Sequence, residues 1–229
     1  MLRKTAYAIS HDETRYVLNG ILMSLKERKL TMVATDGRRL ALADAEIELA
    51  PNQEADIILP TKAVNELQRL LKDDGDFTLN MSESRCSFDL GRARLVSKLT
   101  EGNYPNYRQV IPAETKERVT LDRDTFLTTI RRVALLTSEK SSSVKLAFGK
   151  DSATLSANSP DVGEARESIA VKYRGKDFSA AFNPEYLMDP LRNLPDDEVH
   201  FDFIDETSPG VIRVSSSSFL YVIMPMRMA

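Results

Sequence analysis

An internal repeat limits the folds open to this sequence more than any other feature. Short segments of the first half recur in the second half at an offset of about 125 residues. The matched pairs are residues 5–10 with 132–137, 59–62 with 182–185, and 95–97 with 221–223. This offset is too long for a solenoid unit and is typical of a duplicated domain. We therefore predict two similar domains, residues 1–108 and 109–229.

Hydrophobic periodicity predicts the same order of elements in both domains: helix, strands, helix, strands. Helices are predicted over residues 1–10, 61–72, 125–136 and 184–194. Strands are predicted over 16–25, 30–35, 39–47, 57–59, 77–81, 85–90, 93–99, 144–148, 153–157, 164–173, 178–182, 199–204, 210–214 and 219–224. Residues 101–116 show no clear period and are predicted to be a connector. The predicted fold class is α+β: a tandem repeat of two domains, each with two helices packed on antiparallel sheet.

Turn and cap residues add detail to these elements. Asp36-Gly37 predicts a hairpin turn, Asn19-Gly20 a bulge or bend within a strand, and Asp124 the N-cap of the third helix. The first helix has no N-cap, because Met1 already lies inside its periodic pattern. We expect this helix to be cut in half, or the chain to start from an internal methionine.

The charge balance excludes a strongly basic nucleic-acid-binding protein. The 229 residues include 31 Lys+Arg and 34 Asp+Glu, a net charge of −3, so any contact with nucleic acid must be local or weak. The single cysteine, Cys86, excludes an intrachain disulfide and is predicted to be a small buried hydrophobe. His11 and His200 are the only histidines, so we expect no metal site and no cofactor.

No stretch of the sequence predicts membrane insertion or export. No apolar run approaches the ~20 residues of a membrane span, and no signal-peptide pattern opens the sequence. We therefore expect no membrane partner and a place in a reducing cytoplasm.

Catalytic motifs are not evident. Asp73-Asp74 and residues 196–198 are predicted to be solvated clusters at a helix end and in a turn. The serine run 215–218 has no nucleophile-elbow glycines and no evident histidine partner, and Gly-rich phosphate loops are missing. We therefore expect a protein that is not an enzyme.

The last residues are unusual, because they are apolar where most chains end in polar residues. They are either a final core strand or an edge strand, since Pro225 cannot donate to a sheet ladder. In the second case Met224, Met226 and Met228 stand on alternate positions and form a soft wall that can pack against varied apolar ligands.

Two further stretches are open to two interpretations. Residues 102–108, GNYPNYR, are either a linker or the floor of a cleft between the domains. Residues 35–40, TDGRRL, are either a hairpin turn with surface arginines or a turn that points Arg39 and Leu40 into that cleft.

Taken together, these stretches resemble the bacterial DNA sliding clamp family, the beta subunit of DNA polymerase III. The resemblance rests on residues 34–41 (ATDGRRLA), 101–107 (EGNYPNY) and 221–227 (YVIMPMR), with support from 15–20 and 182–187. It covers the whole sequence in order, but only the second and third of the three domains of the family. We expect the missing first domain to explain the uncapped Met1.

The resemblance implies contact with duplex DNA. Family members are head-to-tail dimers that form a ring of six domains around DNA, with helices lining the hole. In that arrangement basic residues attract phosphates without reading bases. The residues implied are Arg3, Lys4, Tyr16, Lys62, Arg69, Lys72, Arg131, Arg132 and Arg192. The position next to Tyr16, often a second tyrosine in the family, is Val17 here.

The resemblance also implies a peptide pocket between the two domains. Its family partners carry short apolar-aromatic motifs: the replicative polymerase subunit, the clamp loader, translesion polymerases and mismatch-repair proteins. One wall would be Leu18, Thr35, Gly37, Arg38, Arg39, Leu40, Pro105 and Val110; the other would be Asn183, Tyr186, Pro209, Val222, Ile223, Met224, Pro225, Met226 and Arg227. Arg39 and Arg227 are expected to bind the backbone and acidic ends of the motif. Met228 and Ala229 replace the usual final leucine.

Three functions and two assemblies follow as hypotheses. The first function is a processivity factor that tethers partners to DNA, the second a peptide-binding clamp fragment that cannot encircle DNA, and the third a catalyst in the cleft. Without a first domain the usual ring contact cannot form, so we expect a monomer. The alternative is a head-to-tail trimer, in which three chains restore six domains.

Overall fold

The computed structural model describes residues 1–49, 53–72, 75–137, 143–159, 163–216 and 218–227. The backbone divides into two units, Met1–Arg108 (unit 1) and Gln109–Ala229 (unit 2). Some residues used in the predictions lie outside the described residues: Asp73, Asp74, Ser217, Met228 and Ala229.

Unit 1 contains two helices and seven strands among its described residues. Its elements are α1 (Leu2–Thr5), β1 (Gly20–Lys26), β2 (Lys29–Thr35), β3 (Arg39–Glu46), β4 (Ala55–Pro60), α2 (Thr61–Leu70), β5 (Thr78–Met81), β6 (Arg85–Asp89) and β7 (Arg94–Lys98). Short 3₁₀ helices span Ala6–Ala8 and Glu13–Leu18. The strands form an antiparallel sheet in the order β4-β1-β2-β3 and a smaller one in the order β5-β6-β7.

Unit 2 repeats this order and adds a strand at its start. A 3₁₀ helix (Tyr107–Val110) crosses the boundary between the units. The elements that follow are β8 (Glu117–Asp122), α3 (Arg123–Ala134), β9 (Val144–Gly149), β10 (Ser152–Ser159), β11 (Gly163–Ala170), β12 (Phe178–Phe182), α4 (Pro184–Asn193), β13 (Glu198–Phe203), β14 (Gly210–Arg213) and β15 (Phe219–Ile223). They form antiparallel sheets in the orders β11-β10-β9-β12 and β15-β14-β13-β8. The predicted α+β class is confirmed.

The helices of unit 2 begin where side chains satisfy their first N–H groups. The Asp122 carboxylate accepts from the Thr125 N–H at 2.8 Å, so α3 begins at Arg123. The Asn183 side chain accepts from the Glu185 N–H at 2.9 Å, and Pro184 occupies the first turn of α4. The predicted cap Asp124 is therefore wrong: it lies in the first turn of α3, and Asp122 caps the helix.

Each unit is held by apolar residues on the inner faces of its sheets and helices. In unit 1, Ile21, Leu59 and Val64 are fully buried. In unit 2, the rings of Phe148, Phe178, Phe201 and Phe203 form one cluster, with the Phe178 and Phe203 centroids 4.0 Å apart. Cys86 is also buried, and burial raises the pKa of its thiol, as expected for a small hydrophobe.

Three predicted elements differ from the structure. The first helix ends at Thr5, and the Ala6–Ala8 turn that follows is 3₁₀. Residues 16–18 are not strand, because the Asp12 carboxylate accepts from the Thr14 N–H and starts a 3₁₀ helix. Gly20 is the first residue of β1; a Cβ there would lie 2.4 Å from the Leu59 carbonyl oxygen.

A buried carboxylate ties β8 to the rest of its sheet. Asp202 of β13 is buried and accepts two hydrogen bonds from the Arg118 guanidinium, at 2.7 and 2.8 Å. Arg213 of β14 approaches the same carboxylate at 3.4 Å. The bidentate ion pair therefore joins β8 to β13, and the longer contact from Arg213 joins β14 to the same carboxylate.

We expect Arg118→Ala to lower the free energy of unfolding by about 2 kcal/mol, because it leaves a buried carboxylate with one long contact. Lys172→Ala is the matched control: its pair with Glu198 at 2.6 Å is exposed, and we expect a loss of about 0.5 kcal/mol or less. Urea unfolding followed by circular dichroism measures both. Equal losses in the two variants would contradict the role given to Asp202.

Candidate functional site

The C-terminal segment that follows β15 leaves its sheet and reaches the edge of the other sheet of unit 2. The Met226 N–H donates to the Ala181 carbonyl oxygen of β12 at 2.7 Å. Every residue of β15 is buried, whereas Met224 is 43% and Met226 37% exposed. Both interpretations of the tail therefore hold in part: 219–223 is a core strand, and residues 224–227 are an exposed segment fixed to an edge strand.

The start of α4 is held beside this tail. The Tyr221 hydroxyl of β15 donates to the Tyr186 carbonyl oxygen of α4 at 2.7 Å. Asn183, the α4 cap, is two residues beyond Ala181, to which the tail is bonded. Pro209 precedes Gly210, which pairs with Ile223 at the end of β15. Unit 2 thus brings its predicted site residues into one region.

These residues differ in what they present to solvent. Val222 and Ile223 are 2% and 0% exposed, so they pack beneath the exposed residues and do not line the surface that a ligand could contact. Met224, Met226 and Arg227 are exposed, and Tyr186 is half-buried. The result is a surface of two thioethers with an arginine at one end, and thioethers adapt to ligands of varied shape.

In unit 1, the predicted hairpin turn between β2 and β3 is confirmed. Thr35 pairs with Leu40, and the Thr35 hydroxyl donates to the Arg39 carbonyl oxygen at 2.6 Å. The Asp36 carboxylate accepts from the backbone N–H groups of Arg38 and Arg39 at 2.9 and 3.0 Å. Gly37 has φ +86°, a conformation that glycine adopts without strain.

The two arginines of this hairpin have different environments. The Arg39 guanidinium donates to the Asp36 carboxylate at 3.1 Å and to the Tyr7 carbonyl oxygen at 2.6 Å. Its side chain is only 9% exposed, whereas Arg38 is exposed. The expectation that Arg39 binds the ends of a peptide is therefore revised: Arg39 holds the hairpin to the chain near Tyr7, and Arg38 faces solvent. Leu18 and Leu40 are buried.

The hairpin has neighbours in unit 1 that the sequence did not reveal. The Arg15 guanidinium donates to the Asp36 carbonyl oxygen at 3.2 Å. A Cβ on Gly102, whose φ is +112°, would lie 2.9 Å from a Val17 methyl group, so this loop packs on the 3₁₀ helix that carries Tyr16. No pattern in the sequence links Arg15 to Asp36, because the contact spans 21 residues.

The loop of residues 102–108, which contains Tyr104 and Tyr107, is partly buried. Burial raises the pKa of the Tyr104 hydroxyl well above its ordinary value. Pro105 and Val110, both predicted site residues, are exposed, and Tyr16 is 59% exposed.

The eight basic residues predicted to contact DNA have three kinds of environment. Three are engaged by carboxylates: Arg69 by Glu66 at 2.6 Å, Arg132 by Glu167 at 2.5 Å, and Arg192 by Glu185 at 2.9 Å. Lys4 is half-buried. The other four, Arg3, Lys62, Lys72 and Arg131, are exposed and form no ion pair with a described residue. Among the predicted DNA contacts, these four are therefore the ones most accessible to an outside anion.

One expectation about catalysis needs correction. Ser215 does have a histidine neighbour, because its hydroxyl lies 2.8 Å from His200 Nε2. The other ring nitrogen lies 3.1 Å from the Thr120 hydroxyl, where a catalytic triad has a carboxylate. The serine is exposed, so the pair is a surface hydrogen bond.

In the part of the chain that the structure describes, no group of three or more His, Cys, Asp or Glu side chains could hold a metal ion. No described helix is long and apolar enough to cross a bilayer.

Each of the two units matches one domain of the same known family. Residues 1–106 match the DNA polymerase III beta subunit, central domain, and residues 108–227 match the DNA polymerase III beta subunit, C-terminal domain. The two matches follow one another in the order that the resemblance implies.

Curated relatives carry the same name. The beta sliding clamp of Chlamydia muridarum is 39% identical over 228 residues, which is 100% of this chain and 62% of the relative. The beta sliding clamp of Caulobacter vibrioides is 37% identical over 99% of this chain and 63% of its own length. The chain therefore spans less than two thirds of the relatives it matches.

Solved structures have the same fold. A sliding clamp from Pseudomonas aeruginosa with a ligand superposes with a TM-score of 0.94 at 31% identity, over 99% of this chain and 64% of that one. A sliding clamp from Bartonella birtlesii bound to griselimycin superposes with a TM-score of 0.93 at 37% identity, over 99% and 63%. The chain belongs to the DNA polymerase III beta subunit family and contains its central and C-terminal domains.

Proposed function

We propose that this chain acts in DNA replication as the partner-binding part of a sliding clamp, a processivity factor that is not an enzyme. Family membership and the shared name of its relatives support this proposal. This chain spans less than two thirds of these relatives, so an activity of the whole relative does not pass to it directly. We therefore also propose, as a separate step, that the chain helps to tether polymerases to duplex DNA.

The observation that carries the proposal is the fixed, exposed C-terminal segment of unit 2. The bond from Met226 to Ala181 holds the backbone, while the thioethers of Met224 and Met226 stay accessible. A short apolar-aromatic motif can bury its side chains on such a surface. Arg227 lies at its end, and its guanidinium can donate hydrogen bonds to an acidic group or a peptide carbonyl oxygen. A relative solved with griselimycin bound is consistent with a ligand-binding surface in this family.

The hairpin of unit 1 is proposed as a second contact for the same class of partner. Arg38 is exposed at its tip, and the backbone around it is fixed by Asp36 and Arg39. Because the backbone of this turn is already ordered, little conformational entropy of the turn is lost when Arg38 binds a partner. In this proposal Arg38 contacts the partner directly, and Arg39 is a positioning residue. The partners proposed are the replicative polymerase subunit, the clamp loader, translesion polymerases and mismatch-repair proteins.

Contact with DNA is proposed for Arg3, Lys62, Lys72 and Arg131. They are exposed and have no described acidic partner, so they can neutralise phosphates without losing an internal ion pair. Few such contacts give weak binding that depends on salt and not on base sequence, which suits a protein that slides.

A second candidate function is peptide binding without retention on DNA. The ion pairs of Arg69, Arg132 and Arg192 favour it, because they remove three of the predicted phosphate contacts. Retention on closed circular duplex separates the two candidates: normal peptide binding without retention supports the second.

We expect Met224→Ala and Met226→Ala each to weaken binding of a Gln-x-x-Leu-Phe-type peptide about fivefold, because each removes about 1 kcal/mol of apolar contact. Fluorescence anisotropy with a labelled peptide measures the dissociation constants. Leu135→Ala is the control, since Leu135 is 75% exposed on unit 2 and outside the proposed surface. The same dissociation constant for all four proteins would remove the assignment.

We expect Arg131→Gln to lower the slope of log K against log salt for duplex binding by about 0.9, the loss of one phosphate contact. Arg166→Gln is the matched control in the same unit: it removes the same charge from an exposed position on β11, on the opposite face of the strand from Glu167, which pairs with Arg132 of α3. Slopes measured by anisotropy between low and moderate salt compare the variants. Identical slopes for Arg131→Gln and the parent would overturn the proposed DNA contact.

A further inference from the structure

The α4 helix of unit 2 contains a proline where the helix would otherwise donate a hydrogen bond. Pro190 is buried and lies inside α4, six residues after its first residue, Pro184. In an α-helix the N–H of each residue donates to the carbonyl oxygen four residues before it. Proline has no N–H, so Pro190 cannot donate to the Tyr186 carbonyl oxygen. That oxygen needs a donor from elsewhere.

The Tyr221 hydroxyl supplies this donor. Tyr221 lies in β15 and is fully buried, and its hydroxyl is 2.7 Å from the Tyr186 carbonyl oxygen. The hydrogen bond therefore joins α4 to a strand of the sheet. The Tyr186 N–H is also bound by a side chain, because it donates to Asn183 Oδ1 at 3.3 Å. Both backbone groups of Tyr186 are thus held by side chains that lie outside α4.

Unit 1 has neither the proline nor the hydroxyl at the corresponding positions. The internal repeat aligns α2 with α4 and places Leu67 at the position of Pro190. Leu67 has the N–H that Pro190 lacks. The same repeat places Leu95 at the position of Tyr221, and the leucine side chain has no hydrogen-bond donor. The hydroxyl therefore occurs in the unit whose helix lacks the N–H.

This hydrogen bond lies next to the C-terminal segment. Tyr221 precedes Met224 by three residues, and β15 leads directly into the segment that carries the exposed methionines. The Met226 N–H donates to Ala181, two residues before the α4 cap. Tyr221 therefore connects the strand before the exposed methionines to the helical turn that carries Tyr186.

We propose that Tyr221 is a positioning residue of the peptide-binding surface. Its hydroxyl replaces the N–H that Pro190 lacks and holds the Tyr186 turn against β15. Tyr221 itself does not contact the peptide, because its side chain is fully buried. A surface that is ordered before binding loses less conformational entropy when the peptide binds. This proposal rests on the proposed function, since it gives Tyr221 a part in the same surface.

Tyr173 is the matched comparison for a purely structural hydroxyl. It is also buried in unit 2, and its hydroxyl donates to the Lys176 carbonyl oxygen at 2.5 Å. The same hydroxyl lies 3.3 Å from the Glu117 carboxylate. Removal of the hydroxyl from Tyr173 or from Tyr221 deletes a hydrogen bond to a backbone carbonyl. Of the two, Tyr221 is the one bonded to the α4 turn.

We expect Tyr221→Phe to weaken binding of the Gln-x-x-Leu-Phe-type peptide about fivefold, because one hydrogen bond that orders the surface is lost. Tyr173→Phe is expected to leave the dissociation constant unchanged. Fluorescence anisotropy measures both constants, and circular dichroism verifies that both variants are folded. Without peptide, the ¹³C chemical shift of the Tyr186 carbonyl reports the hydrogen bond itself. We expect this shift to change in Tyr221→Phe and not in Tyr173→Phe.

Pro190→Ala tests the reason for the hydrogen bond, because it gives α4 an N–H that can donate to the Tyr186 carbonyl oxygen. When Pro190→Ala is present, we expect Tyr221→Phe to change the dissociation constant less than about twofold. The same fivefold loss with and without Pro190→Ala would overturn the proposal. Equal affinities of the parent chain and Tyr221→Phe would overturn it and leave the proposed function intact. A parent chain that binds no peptide would overturn the proposed function, and this proposal with it.

Discussion

The hydrogen bond from the Met226 N–H to the Ala181 carbonyl oxygen decides where the exposed side chains of Met224 and Met226 lie. Pro225 has no N–H, so Met226 is the first residue after it that can pair with the β12 edge. The bond fixes the backbone, and the unbranched side chains on either side remain free to repack. A surface with a fixed backbone and adaptable side chains can bind several related motifs.

The internal repeat gives the two units one plan but leaves them different edges. In unit 2, β8 completes a four-stranded sheet, and Asp202 joins it to β13 and β14 through Arg118 and Arg213. In unit 1, the corresponding sheet has three strands among the described residues. The buried ion pair therefore belongs to the strand that unit 2 adds at its start.

Most of the fold could be predicted from the sequence, because its signals are local. The Asp36-Gly37 hairpin and the helix that begins at Pro184 follow from turn and cap chemistry within a few residues. β8 was missed because only Val119 and Leu121 are apolar among its six residues, and both face inward from a charged strand. The strand prediction at Tyr16 was wrong because the Asp12 carboxylate accepts a hydrogen bond from the Thr14 N–H and starts a 3₁₀ helix. Hydrophobic periodicity carries no information about such a side-chain hydrogen bond.

The site was predicted less completely, because side-chain partners lie far apart in the sequence. The residue types of the hairpin and tail were found, but Arg39 donates to the Tyr7 carbonyl oxygen 32 residues away, and Val222 and Ile223 are buried.

The most direct test of the tail is a methyl NMR titration of methionine-labelled protein with a Gln-x-x-Leu-Phe-type peptide. The proposed function predicts that the Met224 and Met226 methyl signals shift with the peptide, while those of buried Met32 and Met188 and of exposed Met81 do not. Saturable peptide binding with unchanged Met224 and Met226 signals would contradict it.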